Sequence, residues 1–318
     1  MFLIQFVPFL VRFNNFACKH SQLNLHNYIL YYLIILPISK LPYGALYGLS
    51  DFLFWVFYSL TGYRKKVVFD NLKRSFPEKS DAEIQQLGKL FYRHFADLIL
   101  ESLSIFSISQ KEASSRMKFT NPEIFDRHFK EGRNVILAGG HFNNWELFAV
   151  AVDDALKHAT IALYKPLNNL FFDEKMRTSR GKYGLKMIST RKATEVFSTI
   201  TDQPVAVIFA TDQSPSNPRK GYWTKFLNQD TIVLFGTEKY AKEYNCPVYY
   251  GSIQKVKRGY YEVTFSLITE NPQSCAYGEI TEMHCKLLEK DILENPQYWL
   301  WSHRRWKHRK PENIETAN

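Results

Sequence analysis

Cysteine is scarce in this chain of 318 residues. The four present, Cys18, Cys246, Cys275 and Cys285, form no CxxC pair, which excludes a disulfide scaffold and argues against a structural zinc site. Low-complexity segments and internal repeats are absent, so no linker-joined array or solenoid is expected. Residues 1–18 are apolar but lack a basic n-region and a small-residue cleavage site, so they do not read as a secretory signal; Ala17-Cys18 is a poor match to a lipid-attachment site. Paired RNP aromatics and zinc fingers are also missing, which makes nucleic acid a weak candidate partner.

What is there is a folded, aromatic-rich, basic chain. Hydrophobic residues make up 45%, charged residues 23% and aromatics 16%, which rules out a mainly disordered protein. The formal charge of +10 is concentrated in two places. Residues 165–192 carry eight basic side chains against Asp173 and Glu174, net +6, and the run HRRWKHRK at 303–310 adds +5. The rest of the chain is therefore close to neutral. A solvated basic face is the plain reading of any charge run, but two clusters holding the whole excess point to an anionic partner.

Between Tyr28 and Leu60 only Lys40 and Asp51 are charged, and Leu41–Leu60 has 14 apolar residues of 20. That length and composition predict a membrane-spanning helix, with a re-entrant or interfacial element as the alternative because Asp51 falls mid-span. Arg64, Lys65 and Lys66 would form its cytoplasmic flank. The expected organisation is a hydrophobic anchor region over residues 1–66 and a catalytic domain over 67–318.

Ser80 with Glu83 is a capping-box pattern that opens a helix through about Ser107. Strands are expected at 134–138, 160–164, 204–210, 247–253 and 260–268, and helices at 144–156, 169–180, 191–200, 237–244 and 280–293. Such alternation predicts an α/β fold with a mainly parallel central sheet flanked by helices.

The segment AGGHFNNWELF (138–148) ends a buried strand in two glycines, then a histidine, then a helix capped by Asn143 or Asn144. His141 and Glu146 are five apart and would diverge on one helix. They meet only if His141 sits in the turn and Glu146 in the first helical turn. Glu146 would then fix the imidazole tautomer and leave the other nitrogen as a general base. An ordinary loop histidine fits the spacing equally well. A metal site built on this pair lacks a third ligand at local spacing.

HFNNWE resembles the HxxxxD/E motif of glycerolipid and lipid A acyltransferases. NLKRSFPE (71–78), LYKPLNN (163–169), RTSRGKYG (177–184), ATDQSP (210–215) and WLWSHRRWK (299–307) narrow the resemblance to the bacterial lipid A biosynthesis (late) acyltransferases, over about residues 28–310. The resemblance implies transfer of a fatty acyl chain from an acyl carrier protein thioester to a hydroxyl of a lipid A precursor or related anionic glycolipid. The setting it implies is the cytoplasmic face of the bacterial inner membrane, without a cofactor. His141 would be the base, Glu146 its partner and Arg180 the oxyanion donor. Asn144, Lys165, Asn168, Asp212, Gln213, Arg304 and Arg305 would bind substrate. Asp212 would position Arg180 or the acceptor, with a turn cap as the plain alternative. Arg304 and Arg305, flanked by Trp301 and Trp306, would lie at headgroup level. Another lipid acceptor, or a non-catalytic adaptor that holds anionic lipid, stays open on the sequence alone.

Overall fold

A computed structural model describes residues 25–198, 203–218 and 221–312 of the chain. The apolar start at residues 1–18, Cys18 and the end of the helix expected at 191–200 lie outside the described residues. Helix α1 (Leu25–Ser39) and helix α2 (Tyr43–Leu60) form a hairpin bent by 120°. Pro42, extended at φ −61° and ψ 147°, interrupts the helical path and starts α2. The single span expected at Leu41–Leu60 is therefore replaced by a bent pair, and no single helix among the described residues is long and apolar enough to cross a membrane. Helix α3 (Lys65–Ser75) follows. Arg64, expected as a free cationic flank, instead donates through Nη1 to the Ser302 carbonyl at 2.9 Å.

Helix α4 (Asp81–Ser104) opens with the expected capping box: Ser80 N–H donates to Glu83 at 2.8 Å and Glu83 N–H to Ser80 Oγ at 3.4 Å. Its far end is buried and carries Asp97 and Glu101 one turn apart. Ser50 of α2 donates to Asp97 at 2.7 Å, and Tyr47 of α2 to Glu101 at 3.1 Å. These polar contacts fix the hairpin to α4. The buried apolar faces of both belong to the same core as the sheet.

The sheet has seven strands: β1 (Met117–Phe119), β2 (Val135–Gly139), β3 (Ala159–Tyr164), β4 (Lys186–Ser189), β5 (Val205–Ala210), β8 (Val248–Lys257) and β9 (Tyr260–Thr269). A separate antiparallel pair, β6 (Gly221–Phe226) and β7 (Gln229–Leu234), lies outside it. Spatial order is β1-β9-β8-β2-β5-β3-β4. Every pairing is parallel except β8 with β9. The α/β class with a mainly parallel sheet is thus as the alternation of buried runs implies. Helices α5 (Trp145–Ala155), α6 (Leu170–Arg180), α7 (Gly236–Tyr244) and α8 (Glu279–Glu294) complete the parts that matter for the site.

Strand register places the chemistry. In the β2–β5 pair Gly139 faces Ala210, and Thr211 N–H continues the ladder to the Gly139 carbonyl at 3.2 Å. Residues 141 and 212 therefore each lie two positions beyond a matched pair, at the carboxyl edge of the sheet where parallel α/β proteins form their crevices.

Candidate active site

His141 Nδ1 lies 2.6 Å from Asp212 Oδ1, and the His141 backbone N–H donates to Asp212 Oδ2 at 2.8 Å. The Trp299 indole also donates to Oδ2, at 2.9 Å. Burial opposes ionisation of Asp212, but the His141 ring and these donors outweigh it and hold the carboxyl well below the usual carboxylate range. Ionised, Asp212 can only accept, so His141 carries a proton on Nδ1, and Nε2 is the nitrogen turned away from the carboxylate. Trp145 packs edge-on against the imidazole, ring centroids 4.9 Å apart. Gly140 is required here, because a Cβ would come within 2.8 Å of Leu288 and 3.3 Å of the Asp212 carboxyl carbon.

The carboxylate partner of His141 is thus Asp212, not Glu146 as the local spacing suggested. Asn143, in the left-handed region at φ 53°, turns the chain between them and is pinned by its Nδ2 to the Ile253 carbonyl at 2.7 Å. Beyond that turn Glu146 points to α6 and takes a two-point ion pair from Arg180: Nε to Oε2 at 2.7 Å and Nη2 to Oε1 at 2.6 Å. Glu146 is wholly buried, and burial pushes its carboxyl up, but Arg180 more than offsets this and leaves it below its ordinary value. Arg180 lines the cavity next to His141, with Nη1 uncommitted to Glu146.

Several expected substrate residues are elsewhere. Asn144 is fully buried and caps α5, accepting from Leu147 N–H at 2.8 Å while its Nδ2 donates to Glu101 at 2.8 Å. That makes it a helix cap, outside the cavity. Arg305 is also fully buried: Nη1 donates to the Ile232 carbonyl at 2.7 Å, Nε and Nη2 have no partner among the described residues, and burial lowers its pKa to about 10. Trp301 is buried too, and Trp306 donates to Thr231 at 2.7 Å. The segment expected to ride at headgroup level is a packed strap, with only Arg304 of the pair exposed.

That strap closes the site. Asn143 N–H donates to the Tyr298 carbonyl, Ser214 N–H donates to His303 Nε2 at 3.2 Å, and His308 Nε2 lies 2.9 Å from the Pro215 carbonyl. Trp299 and His303 lie within WLWSHRRWK and His308 just beyond it, but the sequence gives no sign that their side chains reach residues 212–215.

A cavity of about 940 Å³ opens at His141. Its lining includes the apolar side chains of Phe148, Ala149, Ala162, Met176, Ile208 and Phe265 and the cations Lys165, Arg177, Arg180, Arg191 and Lys307. Lys165 and Asn168 are therefore at the cavity as expected, as is Gln213, whose Nε2 is 3.2 Å from His141 Nε2.

Burial lowers His303 and His284 each to about 4, against about 6.5 in an unfolded chain. Between those values the unfolded state takes up protons that the folded state refuses. Stability contributed by the two neutral rings is thus complete above about pH 6.5 and lost as pH falls towards 4, at up to about 1.4 kcal/mol per pH unit for each. The melting temperature is expected to drop between pH 7 and pH 5, with a shallower slope in His303→Gln; an unchanged slope would contradict the assignment.

A histidine paired with a carboxylate at a cavity lined by apolar and cationic side chains, on a mainly parallel sheet, is an arrangement suited to acyl transfer. Comparison with known proteins then gives the family. The model of the bacterial lipid A biosynthesis acyltransferases matches residues 15–308. Over 254 residues the chain is 22% identical to a lipid A biosynthesis palmitoleoyltransferase of Escherichia coli, covering 77% of this chain and 79% of that protein. It is 23% identical over 282 residues to the E. coli lipid A biosynthesis lauroyltransferase, covering 87% and 90%. A lipid A biosynthesis acyltransferase of Haemophilus influenzae is 21% identical over 279 residues, covering 86% and 88%. The chain belongs to the bacterial lipid A biosynthesis acyltransferase family and is an acyltransferase.

Proposed function

We propose that this enzyme transfers a fatty acyl chain from an acyl carrier protein thioester to a hydroxyl of a lipid A precursor at the cytoplasmic face of the inner membrane. The observation that carries this reading is the Asp212–His141 pair beside a cavity able to take an acyl chain. His141 removes the acceptor hydroxyl proton as its oxygen attacks the thioester carbonyl. Arg180, held by Glu146, offers Nη1 to the developing oxyanion. Lys165, Arg177, Arg191 and Lys307 give the cavity lining the positive charge that an anionic glycolipid and an acidic carrier both require. Arg304, exposed and lying between the cavity-lining His303 and Lys307 in sequence, is a candidate for headgroup contact.

Residues 1–66 serve as the anchor region and residues 67–318 as the catalytic domain. Ten of the sixteen exposed large apolar side chains among the described residues fall between Leu25 and Leu60. So dense an apolar surface favours a hairpin seated in one leaflet. The cavity shares its border: Leu170, 79% exposed, lines it, and the next residue, Phe171, packs at a tilt against Tyr28 of α1, ring centroids 4.8 Å apart. A lipid lifted from the bilayer thus enters beside the hairpin. Leu33→Asp, at a side chain 70% exposed, is expected to weaken sedimentation with anionic vesicles about 10–100-fold without lowering the melting temperature. Unaltered sedimentation would remove the hairpin from membrane binding.

The reading as a whole is tested with the purified full chain in detergent micelles, a lauroyl acyl carrier protein thioester and a lipid A precursor. Mass spectrometry should show the acceptor heavier by one ester-linked acyl group. An acceptor left unmodified while another membrane lipid gains the acyl group would redirect the reading.

A further inference from the structure

Gln213 stands where the acceptor hydroxyl must go. The group 3.2 Å from His141 Nε2 is the Gln213 NH₂, which can only donate, so Nε2 faces it as an acceptor while Nδ1–H is committed to Asp212. The base that the proposed reaction needs is therefore capped in the empty enzyme by a neutral donor. A hydroxyl about to lose its proton to Nε2 must lie within about 2.6–3.2 Å of that atom, in the space the amide nitrogen fills.

The backbone on either side of Gln213 is tied down. Asp212 receives Trp299 Nε1, His141 N–H and the imidazole. Ser214 N–H is held by His303, and the Pro215 carbonyl lies against His308. With the backbone held, substrate displaces Gln213 by rotation of its side chain, which leaves the amide within side-chain reach of the reacting centre. The side chain itself is half-buried and lines the cavity.

We propose that Gln213 is a catalytic residue that exchanges partners: its amide N–H caps the His141 lone pair in the empty site and donates to the carbonyl oxygen of the acyl thioester in the transition state. The acceptor oxygen forms the new bond to the carbonyl carbon, its proton goes to His141 Nε2, and the carbonyl π electrons become the oxyanion. Gln213 and Arg180 receive that charge from two directions. On collapse the carbon–sulfur bond breaks, and the departing thiolate takes the proton back from His141. The amide leaves the base when the nucleophile needs it and meets negative charge when it appears. This rests on the acyl-transfer reading given above.

The test measures kcat, acceptor KM and thermal stability for Gln213→Ala and for the isosteric Gln213→Glu, using the full chain, lauroyl acyl carrier protein and a lipid A precursor. Gln213→Ala is expected to lose about 10²-fold in kcat, the size of one oxyanion donor, with acceptor KM unchanged or lower because the cap is gone. Gln213→Glu keeps the volume but cannot donate, so its kcat should fall at least as far. A carboxylate beside the imidazole also favours the protonated ring, so the acid limb of kcat/KM should move to higher pH. If Gln213→Ala keeps kcat within about threefold and only KM falls, Gln213 is a ground-state cap and the proposal is overturned. It is equally overturned if Gln213→Glu turns over like the native enzyme. His141→Ala in the same assay separates the two ideas, since retained activity there sinks the base mechanism whatever Gln213 does.

Discussion

His141→Ala is expected to lower turnover by about 10²–10⁴-fold while the protein stays folded and keeps its affinity for vesicles. The imidazole side chain is 15% exposed at the cavity and packs on one face against Trp145, so its loss opens no sealed void. Asp212 keeps the His141 backbone N–H and the Trp299 indole as donors, which spares the buried carboxylate most of its desolvation cost. Asp212→Asn should be as damaging to turnover, on the order of 10³–10⁴-fold, for a different reason. An amide has a single acceptor oxygen. If that oxygen takes Nδ1–H, the NH₂ is turned against two other donors, the His141 N–H and the Trp299 indole. If the amide is reversed, Nδ1 must give up its proton, Nε2 gains one, and no base remains. Steady-state rates at saturating acceptor, with melting curves beside them, check both variants. More than a tenth of native turnover in either would remove the Asp212–His141 pair from the mechanism.

The parts of this arrangement legible in the sequence are those set by local physics. Strands β2 and β5 and the start of β8 are runs of mostly buried apolar residues, β3 is a short apolar run, and the Ser80–Glu83 box marks the start of α4, so their positions can be read directly. Strand β1 has three residues, and β4 is the mixed run KMIS with no fully buried position; neither has enough pattern to announce itself. The β6–β7 hairpin turns through Leu227 and Asn228, both at positive φ, and a leucine in that conformation gives no turn signal. The pairing of His141 with Asp212 depends on the Gly139–Ala210 register between positions 71 residues apart, which spacing within one motif cannot carry. Local spacing pairs Glu146 with His141, but the left-handed Asn143 turns it towards Arg180. Leu41–Leu60 has the composition of a span, yet composition is blind to the elbow at Pro42. Arg305 illustrates the same limit for charge, since a basic run says nothing of which guanidinium a neighbouring strand will bury.

Arg180→Met should be among the most destabilising single changes in the site, costing about 3–5 kcal/mol. Glu146 is wholly buried, and Arg180 is the cation that keeps it ionised. With the guanidinium gone the carboxylate must either stay charged without a partner or take up a proton, and both routes cost free energy that the native pair does not. Glu146→Gln is expected to cost less, because Arg180, with 12% of its side chain exposed at the cavity, can reach water while the amide oxygen still accepts one bond. Removing both charges in Glu146→Leu/Arg180→Met should restore much of the stability lost in Arg180→Met, since a buried pair replaced by apolar groups of similar volume is often near neutral. Turnover should stay low in the double variant because the cation facing the cavity is still missing. A thermodynamic cycle of the four proteins, read by chemical denaturation, measures the coupling, and the same four assayed for acyl transfer separate what the pair does for the fold from what Arg180 does for the reaction. Additive losses of stability would mean that the two residues do not act as a pair, and a double variant with native turnover would remove Arg180 from the chemistry.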